Sequence, residues 1–135
     1  MGQTTKGACH CGTVQFTADV DMASARRCDC SICRMRGAVA VSAPLDSLTV
    51  TAGMDALTLY QFNTKEARHF FCSKCGIYTF HQRRSDPTQY GVNVACLEGV
   101  SPFDFTEVEV MNGQFHPRDG GGNRVSGVLR YTSTD

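Results

Sequence analysis

The sequence predicts a small, mainly β domain built around metal sites, and three observations lead to this prediction. The chain has 135 residues, the length of one domain. Short runs rich in β-branched and aromatic residues recur between Gly, Pro, Asn and Asp, and no long stretch has helical periodicity. Tight clusters contain all but one of the 8 cysteines. We therefore expect residues 1–135 to form a single zinc-binding domain.

The predicted elements are short and are separated by turn residues. In chain order, the predicted strands are residues 13–17, 38–41, 48–50, 57–62, 68–71, 77–80, 90–94 and 125–131. Residues 31–36 have the length of a single short helical segment, with Ser31 as a weak N-cap. The three glycines at 120–122 predict a local turn or a flexible loop, because too little chain follows them for a second domain.

Composition excludes several function classes. The formal net charge is 0, from 13 basic and 13 acidic residues, which argues against a general nucleic-acid or membrane-surface binder. No apolar run is long enough to span a membrane. The chain begins with polar residues rather than a signal-peptide pattern, so we expect a reducing, cytoplasmic location. Disulfides are rare there, and clustered thiols then indicate metal binding.

The cysteine clusters have the spacing of metal ligands. They are Cys9 and Cys11, then Cys28, Cys30 and Cys33, then Cys72 and Cys75. The first and third clusters are each followed by a glycine and a strand that ends in phenylalanine. A glycine can adopt positive φ and leaves backbone N–H groups free to point at sulfur. Two such turns facing each other would supply four thiolates to one structural zinc ion.

The remaining three cysteines, Cys28, Cys30 and Cys33, form a C-x-C-x-x-C pattern that predicts a second zinc site. Three thiolates close together leave an open position on zinc, and open positions are where zinc chemistry occurs. Cys96 is placed in an apolar strand at residues 92–97 and is interpreted as a buried, inert thiol. His69 is a further candidate ligand, whereas His10 is expected to point away.

Two questions remain open at this point. Spacing alone also permits one site from Cys9, Cys11, Cys28 and Cys30, with Cys33, Cys72 and Cys75 in the other. Four arginines surround the C-x-C-x-x-C pattern: Arg26, Arg27, Arg34 and Arg36. They could offset thiolate charge and attract an anionic substrate, with Arg34 the best single candidate, or they could form a solvated positive face.

These motifs, taken together, resemble a known family. Residues 7–16, 28–34, 37–38 and 69–76 are similar to the glutathione-dependent formaldehyde-activating enzyme family, which includes centromere protein V. The resemblance runs from about Gly7 to beyond Val94 and rests on three differently spaced clusters in the right order. It implies a β-tent-type zinc domain of short antiparallel sheets, with two zinc ions per chain.

The resemblance also implies site roles and an activity. Cys9, Cys11, Cys72 and Cys75 match the structural zinc ligands, and Cys28, Cys30 and Cys33 match the catalytic ones. The implied activity is a zinc-dependent carbon–sulfur lyase that joins glutathione and formaldehyde to give S-(hydroxymethyl)glutathione. The sequence names no convincing proton donor for this reaction, and water could serve.

Other functions are compatible with the same residues. The alternative is a non-catalytic zinc-binding module for a protein or nucleic-acid partner, although neutral net charge counts against nucleic acid. A protein whose triplet only buffers zinc is a third interpretation. Exposed strand edges would be compatible with an oligomer.

Overall fold

The computed structural model describes residues 3–113 and 124–135, so the glycines at 120–122 lie outside the described residues. The strands are β1 (Gln3–Ala8), β2 (Gln15–Cys28), β3 (Ala40–Pro44), β4 (Thr49–Ala52), β5 (Leu57–Tyr60), β6 (Arg68–Cys72), β7 (Tyr78–Gln82), β8 (Gln89–Asn93), β9 (Glu107–Met111) and β10 (Val125–Arg130). The α-helix is α1 (Ser31–Arg36). Short 3-10 turns lie at Leu45–Ser47, Met54–Ala56, Val94–Cys96 and Pro102–Asp104.

Strand β2 is the spine of the sheet. Its first half pairs with β1 and β4, and its second half pairs with β3 and β9. A register irregularity between Asp21 and Arg26 separates the parts of β2 that pair with β3. The longest path through the sheet runs β10-β9-β2-β3-β8-β7-β6-β5. In this path β3 and β8 lie between β2, which ends at Cys28, and the β6–β7 hairpin, whose turn carries Cys72 and Cys75.

The hydrophobic core packs against one face of β2. Phe16, Ala18 and Val20 are buried at every second position, as expected for a half-buried strand. The ring of Phe16 meets that of Phe80 edge-on, with centroids 5.3 Å apart. Val41 and further apolar residues of β3 and β8 complete this core. A smaller buried cluster contains Cys9, Val14, Ala56 and Cys72, so one group of cysteines is part of the interior.

The prediction of a mainly β fold is confirmed, and the helical turn at residues 31–36 is present. One strand pair, β2 with β9, is parallel, a detail that the expectation of antiparallel sheets did not include. Strands β1 and β9 were not predicted, nor was the length of β2. β1, with the sequence QTTKGA, has no apolar alternation to mark it. β9, with the sequence EVEVM, and the first half of β2 do alternate, so this signal was present in the sequence.

Two local predictions were wrong. The N-cap of α1 is Cys30 rather than Ser31, and no side chain caps this helix. The predicted strand around Cys96 ends at Asn93, because the Asn93 side chain accepts a hydrogen bond from Ala95 N–H and starts a 3-10 turn. Within the described residues, no helix has the length and apolar character that a membrane crossing requires.

Candidate metal centres and cavity

Four cysteines from two hairpin turns form what we call the four-cysteine cluster: Cys9, Cys11, Cys72 and Cys75. The first two lie between β1 and β2, and the second two lie at the β6–β7 turn. All four sulfurs lie within 4.8 Å of one another. The Sγ of Cys11 is 3.6 Å from that of Cys9 and 3.8 Å from that of Cys72.

These distances match a metal site. Four thiolates placed about 2.3 Å from a tetrahedral zinc ion lie about 3.8 Å from one another. The cluster therefore fits a metal ion in both donor type and spacing. Hydrogen bonding with Thr13 lowers the pKa of Cys11 to about 6, which favours the thiolate form that a metal requires. Burial raises the pKa of Cys9 in the same cluster.

The two turns of the four-cysteine cluster have the same backbone geometry. Gly12 and Gly76, each directly after the second cysteine of a pair, have φ of 79° and 77°. Glycine adopts this positive φ without the steric strain of a side chain, so it permits the tight turn at this position. The first sulfur of each pair accepts a backbone hydrogen bond. These bonds run from Val14 N to Cys9 Sγ (3.3 Å) and from Lys74 N to Cys72 Sγ (3.4 Å).

Cys28, Cys30 and Cys33, which we call the cysteine triplet, come from one short stretch of chain. Cys28 ends β2, Cys30 caps α1, and Cys33 lies within α1. Their sulfurs also lie within 4.8 Å of one another. The helix ends at Gly37, which has φ of 69° and donates its N–H to the carbonyl oxygen of Cys33 at 2.9 Å. The triplet is thus a compact three-thiol group that could hold a metal ion with a position to spare.

Hydrogen bonds within the triplet separate the pKa values of its thiols. Bonding with Cys28, and then with Cys33, lowers the pKa of Cys30 to about 2. Bonding with Cys30 raises the pKa of Cys28, and bonding with Cys28 raises that of Cys33. The triplet therefore stabilises a negative charge on Cys30, and thiolates are the donors that zinc prefers.

Asp29, between the first two triplet cysteines, anchors them to the neighbouring strands. Its backbone N–H donates to the carbonyl oxygen of Met111 at 3.1 Å. Its carboxylate accepts hydrogen bonds from Gly113 N–H (2.7 Å) and from the Ser126 hydroxyl (3.0 Å). A Cβ on Gly113 would lie 2.6 Å from the Cβ of Cys30. The absence of a side chain at Gly113 therefore lets the chain approach the triplet closely.

A cavity of about 180 Å³ opens beside the triplet, and all three of its cysteines line it. Five arginines line the same cavity, whereas the described lining residues include no carboxylate. They are Arg26, Arg27, Arg36, Arg83 and Arg84. Arg84 Nε lies 3.8 Å from a carboxylate oxygen of Glu66, which offsets part of that charge. The cavity as a whole favours anionic ligands.

The arginines of the cavity differ from those that the sequence favoured. Arg34, the best candidate by sequence, is exposed and is not among the residues that line the cavity. Arg36, on the other side of α1, donates through Nη2 to the Sγ of Cys33 at 3.4 Å. Arg83 is buried, and this burial lowers the pKa of its guanidinium to about 10. Arg83 and Arg84 follow β7, and nothing in the sequence placed them near the triplet.

Aromatic and histidine rings form another part of the cavity wall. The ring of His69 lies between those of Phe62 and His81, with centroids 5.8 Å and 5.1 Å away. The Tyr78 hydroxyl lies 2.6 Å from His81 Nδ1. Burial, together with the charge of Arg36, lowers the pKa of His69 to about 4, and burial holds that of His81 well below its usual range. Both imidazoles are therefore neutral at neutral pH.

Sequence reasoning missed this wall except for His69, although one signal was available. Residues of β6 and β7 pair across the Cys72–Cys75 turn, so His69 lies opposite His81 and Phe70 lies opposite Phe80. Counting outward from the turn brings the two histidines near each other, but a register shift between Phe70 and Phe71 sets their exact pairing. The sequence also offers His69 as a candidate metal ligand. Within the described residues it is not part of a ligand group, since its Nδ1 lies 3.0 Å from Arg36 Nη1.

The remaining candidates lie apart from both clusters. Cys96 is buried, and burial raises the pKa of its thiol to about 12. His10 is exposed, as its position between two cysteines predicted. The alternative partition of the cysteines is not the arrangement found, because the triplet sulfurs form a group separate from the four-cysteine cluster.

Comparison with known proteins points to one family. The family profile described as "Glutathione-dependent formaldehyde-activating enzyme" matches residues 4–111. Among solved structures, the chain is similar to a crystal structure of a Rhodobacter sphaeroides protein determined as a structural-genomics target. The two are 58% identical, the match covers 78% of this chain and 98% of that chain, and the TM-score is 0.76.

Proposed function

The chain belongs to the glutathione-dependent formaldehyde-activating enzyme family, and from this premise we propose that it joins a thiol to an aldehyde at the cysteine triplet. The proposed substrates are glutathione and formaldehyde, and the product is S-(hydroxymethyl)glutathione. The reaction forms a carbon–sulfur bond and is reversible, so the enzyme is a carbon–sulfur lyase. One observation carries the proposal: the triplet lines a cavity whose described residues include five arginines and no carboxylate.

The two cysteine clusters have different roles in this proposal. The four-cysteine cluster is a closed, structural zinc site, because four thiolates complete a tetrahedron. Cys28, Cys30 and Cys33 are three ligands of a catalytic zinc ion. A zinc ion held there would supply a Lewis acid, whose chemistry favours the ionised form of a bound thiol and polarises a carbonyl oxygen.

The protein's own residues account for substrate choice. Glutathione carries two carboxylates and one ammonium group, so it is anionic at neutral pH. Arginine binds carboxylates through paired hydrogen bonds, and Arg26 and Arg27 lie on the same strand that delivers Cys28. These side chains would hold the peptide's carboxylates while its thiol faces the triplet. Holding the thiol and the aldehyde together raises their effective concentration, which is itself a source of rate acceleration.

The reaction balances without a redox partner. The thiol loses its proton to solvent, and the thiolate sulfur forms a bond to the carbonyl carbon. The π electron pair moves to the oxygen, which then takes a proton from water. We propose a cytoplasmic location, where glutathione is abundant and the seven thiols remain reduced. The same proposal treats residues 1–135 as one zinc-binding domain.

The proposal is tested by measuring exchange between glutathione and its hydroxymethyl adduct by NMR. Zinc-loaded wild-type protein should accelerate the exchange over buffer, and Cys30→Ser should abolish the acceleration. Serine is itself a good N-cap residue, so this change is expected to preserve α1 and the fold. Cys96→Ala is the matched control, since Cys96 is a buried cysteine outside both clusters. A folded Cys30→Ser protein with full activity would contradict the proposal, as would a wild-type protein with no acceleration.

A further inference from the structure

His69 is a buried side chain with three close neighbours: Phe62, His81 and Arg36. It lies on β6 with 6% of its surface exposed. The rings of Phe62 and His81 stack against the imidazole, with interplanar angles of 24° and 22° respectively. Arg36 faces one ring nitrogen, with Nη1 3.0 Å from Nδ1. The other ring nitrogen, Nε2, makes no hydrogen bond with any of these three neighbours.

The contact with Arg36 fixes where the imidazole proton resides. A guanidinium has only donors, so the nitrogen facing Arg36 must accept the hydrogen bond and cannot carry a proton. The neutral ring therefore carries its proton on Nε2. The same reasoning holds if the ring is turned over, because whichever nitrogen faces Arg36 must accept. The environment of His69 thus presents one N–H donor in a defined direction.

That donor has no partner among the described residues. Nε2 of His69 is buried and makes no hydrogen bond with any described group. An unsatisfied buried N–H is energetically costly, so such groups are rare in folded proteins unless a ligand or water completes them. His69 also lines the cavity of the cysteine triplet. A hydrogen-bond acceptor bound in this cavity would satisfy it.

Arg36 connects this donor to the triplet. Its Nη1 contacts His69, its Nη2 donates to Cys33 Sγ at 3.4 Å, and its guanidinium carbon lies 3.7 Å from the centroid of the Tyr78 ring. One rigid, planar group thereby holds the triplet and the imidazole in a fixed relation. A substrate whose sulfur lies at the triplet would have its reacting centre in the cavity that His69 lines.

We infer that the Nε2–H of His69 donates a hydrogen bond to the aldehyde oxygen and stabilises the negative charge that develops there as the thiolate attacks. This inference rests on the proposed function and names a residue for a step that the sequence left to water alone. The sulfur–carbon bond forms, the π pair moves to the oxygen, and water supplies the proton that completes the hydroxymethyl group. His69 keeps its own proton, because a neutral imidazole is a very weak acid. Burial and the neighbouring charge of Arg36 both favour this neutral form.

Two substitutions separate donation from packing. His69→Phe keeps a ring between Phe62 and His81 but removes the donor, and kcat should fall on the order of 10²-fold with little change in the KM for glutathione. His69→Gln offers an amide oxygen to Arg36 and an amide N–H in the place of Nε2–H, so it should recover part of the loss. Equal kcat values for His69→Phe and wild type would overturn the inference. Equal losses in both variants with intact zinc content would also overturn it, because they would indicate a packing role.

A second measurement does not depend on turnover. In ¹⁵N-labelled, zinc-loaded protein, two-bond ¹H–¹⁵N correlations report which nitrogen of His69 is protonated. We expect the Nε2–H form, with a downfield shift of this proton when S-(hydroxymethyl)glutathione binds. S-ethylglutathione is the matched ligand, since it replaces the hydroxyl by a methyl group and should leave the signal unchanged. A proton on the nitrogen that faces Arg36, or the same shift with both ligands, would overturn the inference.

The two experiments distinguish this inference from the proposed function. Wild-type acceleration combined with an active His69→Phe protein leaves the proposed function standing and removes the role of His69. Absence of wild-type acceleration removes the proposed function, and the NMR comparison then decides whether His69 contacts the hydroxymethyl oxygen. No ligand-dependent shift in that case would remove both.

Discussion

The sulfurs of Cys11 and Cys72 lie 3.8 Å apart although 61 residues separate them in sequence. They join the β1–β2 turn to the β6–β7 turn, which the sheet path does not place side by side. This contact closes a long loop of chain, and a metal ion held there would connect the N-terminal hairpin to the middle of the chain. In a domain of this size, metal binding contributes directly to the free energy of folding.

We therefore predict that Cys72→Ser lowers the metal content by about one ion per chain and destabilises the fold. The substitution leaves only three thiolates for the metal and buries a serine hydroxyl in place of the Cys72 thiol. The free energy of unfolding should therefore fall by several kcal/mol. Metal analysis and thermal unfolding measure the two effects. Cys96→Ala is the control, because it removes a buried thiol that belongs to neither cluster. Similar metal content in wild type and Cys72→Ser would contradict the assignment.

The turn geometry gives a second prediction. Gly76 has φ of 77°, and an added Cβ would meet no atom within 4 Å, so Gly76→Ala would be strained only through its backbone. The expected cost is about 1–2 kcal/mol in the free energy of unfolding. Gly127 is the matched control, since a Cβ there also meets nothing and its φ is not positive. Urea unfolding measures both variants. Equal midpoints for the two would show that the Gly76 turn is not strained by a side chain.

The arginine cavity gives a third prediction, which depends on the proposed function. Arg27→Gln removes a positive charge from the cavity wall, and the KM for glutathione should rise on the order of tenfold, the effect of losing one charge-assisted hydrogen bond. Arg34→Gln removes the same charge from an exposed position outside the cavity and should leave KM nearly unchanged. Steady-state kinetics at two salt concentrations checks this. Equal effects of the two changes would indicate a general field rather than a binding contact.

The depressed pKa of His69 gives a fourth prediction, about stability and pH. Its folded pKa of about 4 lies below the ordinary value of 6.5, so the unfolded chain binds a proton that the folded chain rejects. Stability is therefore lost as pH falls below 6.5. Relative to His69→Phe, the wild-type free energy of unfolding should decrease by about 1.4 kcal/mol between pH 8 and pH 5.5. Denaturant unfolding at both pH values, with metal content verified, measures the difference; a pH-independent difference would contradict the burial argument.

The sequence alone determined the parts of this protein that are local in the chain. The β class, the helical turn at residues 31–36 and the glycines after Cys11 and Cys75 all follow from short patterns, because turn geometry and strand propensity act over a few residues. The triplet was predictable for the same reason, since its three cysteines lie on one β2–α1 connection. The spacing also favoured the four-cysteine cluster but could not exclude another partition.

Only the tertiary structure decided which side chains face the triplet. Strand pairing places three residues in the cavity wall: Tyr78, His81 and Arg83. The register of β6, β7 and β8 sets which residues share a face of the sheet. A shift of one residue would turn each of them to the opposite side. The rotation of α1 against the sheet likewise decides that Arg36, and not Arg34, lines the cavity. Such contacts join residues far apart in sequence, and no local pattern encodes them.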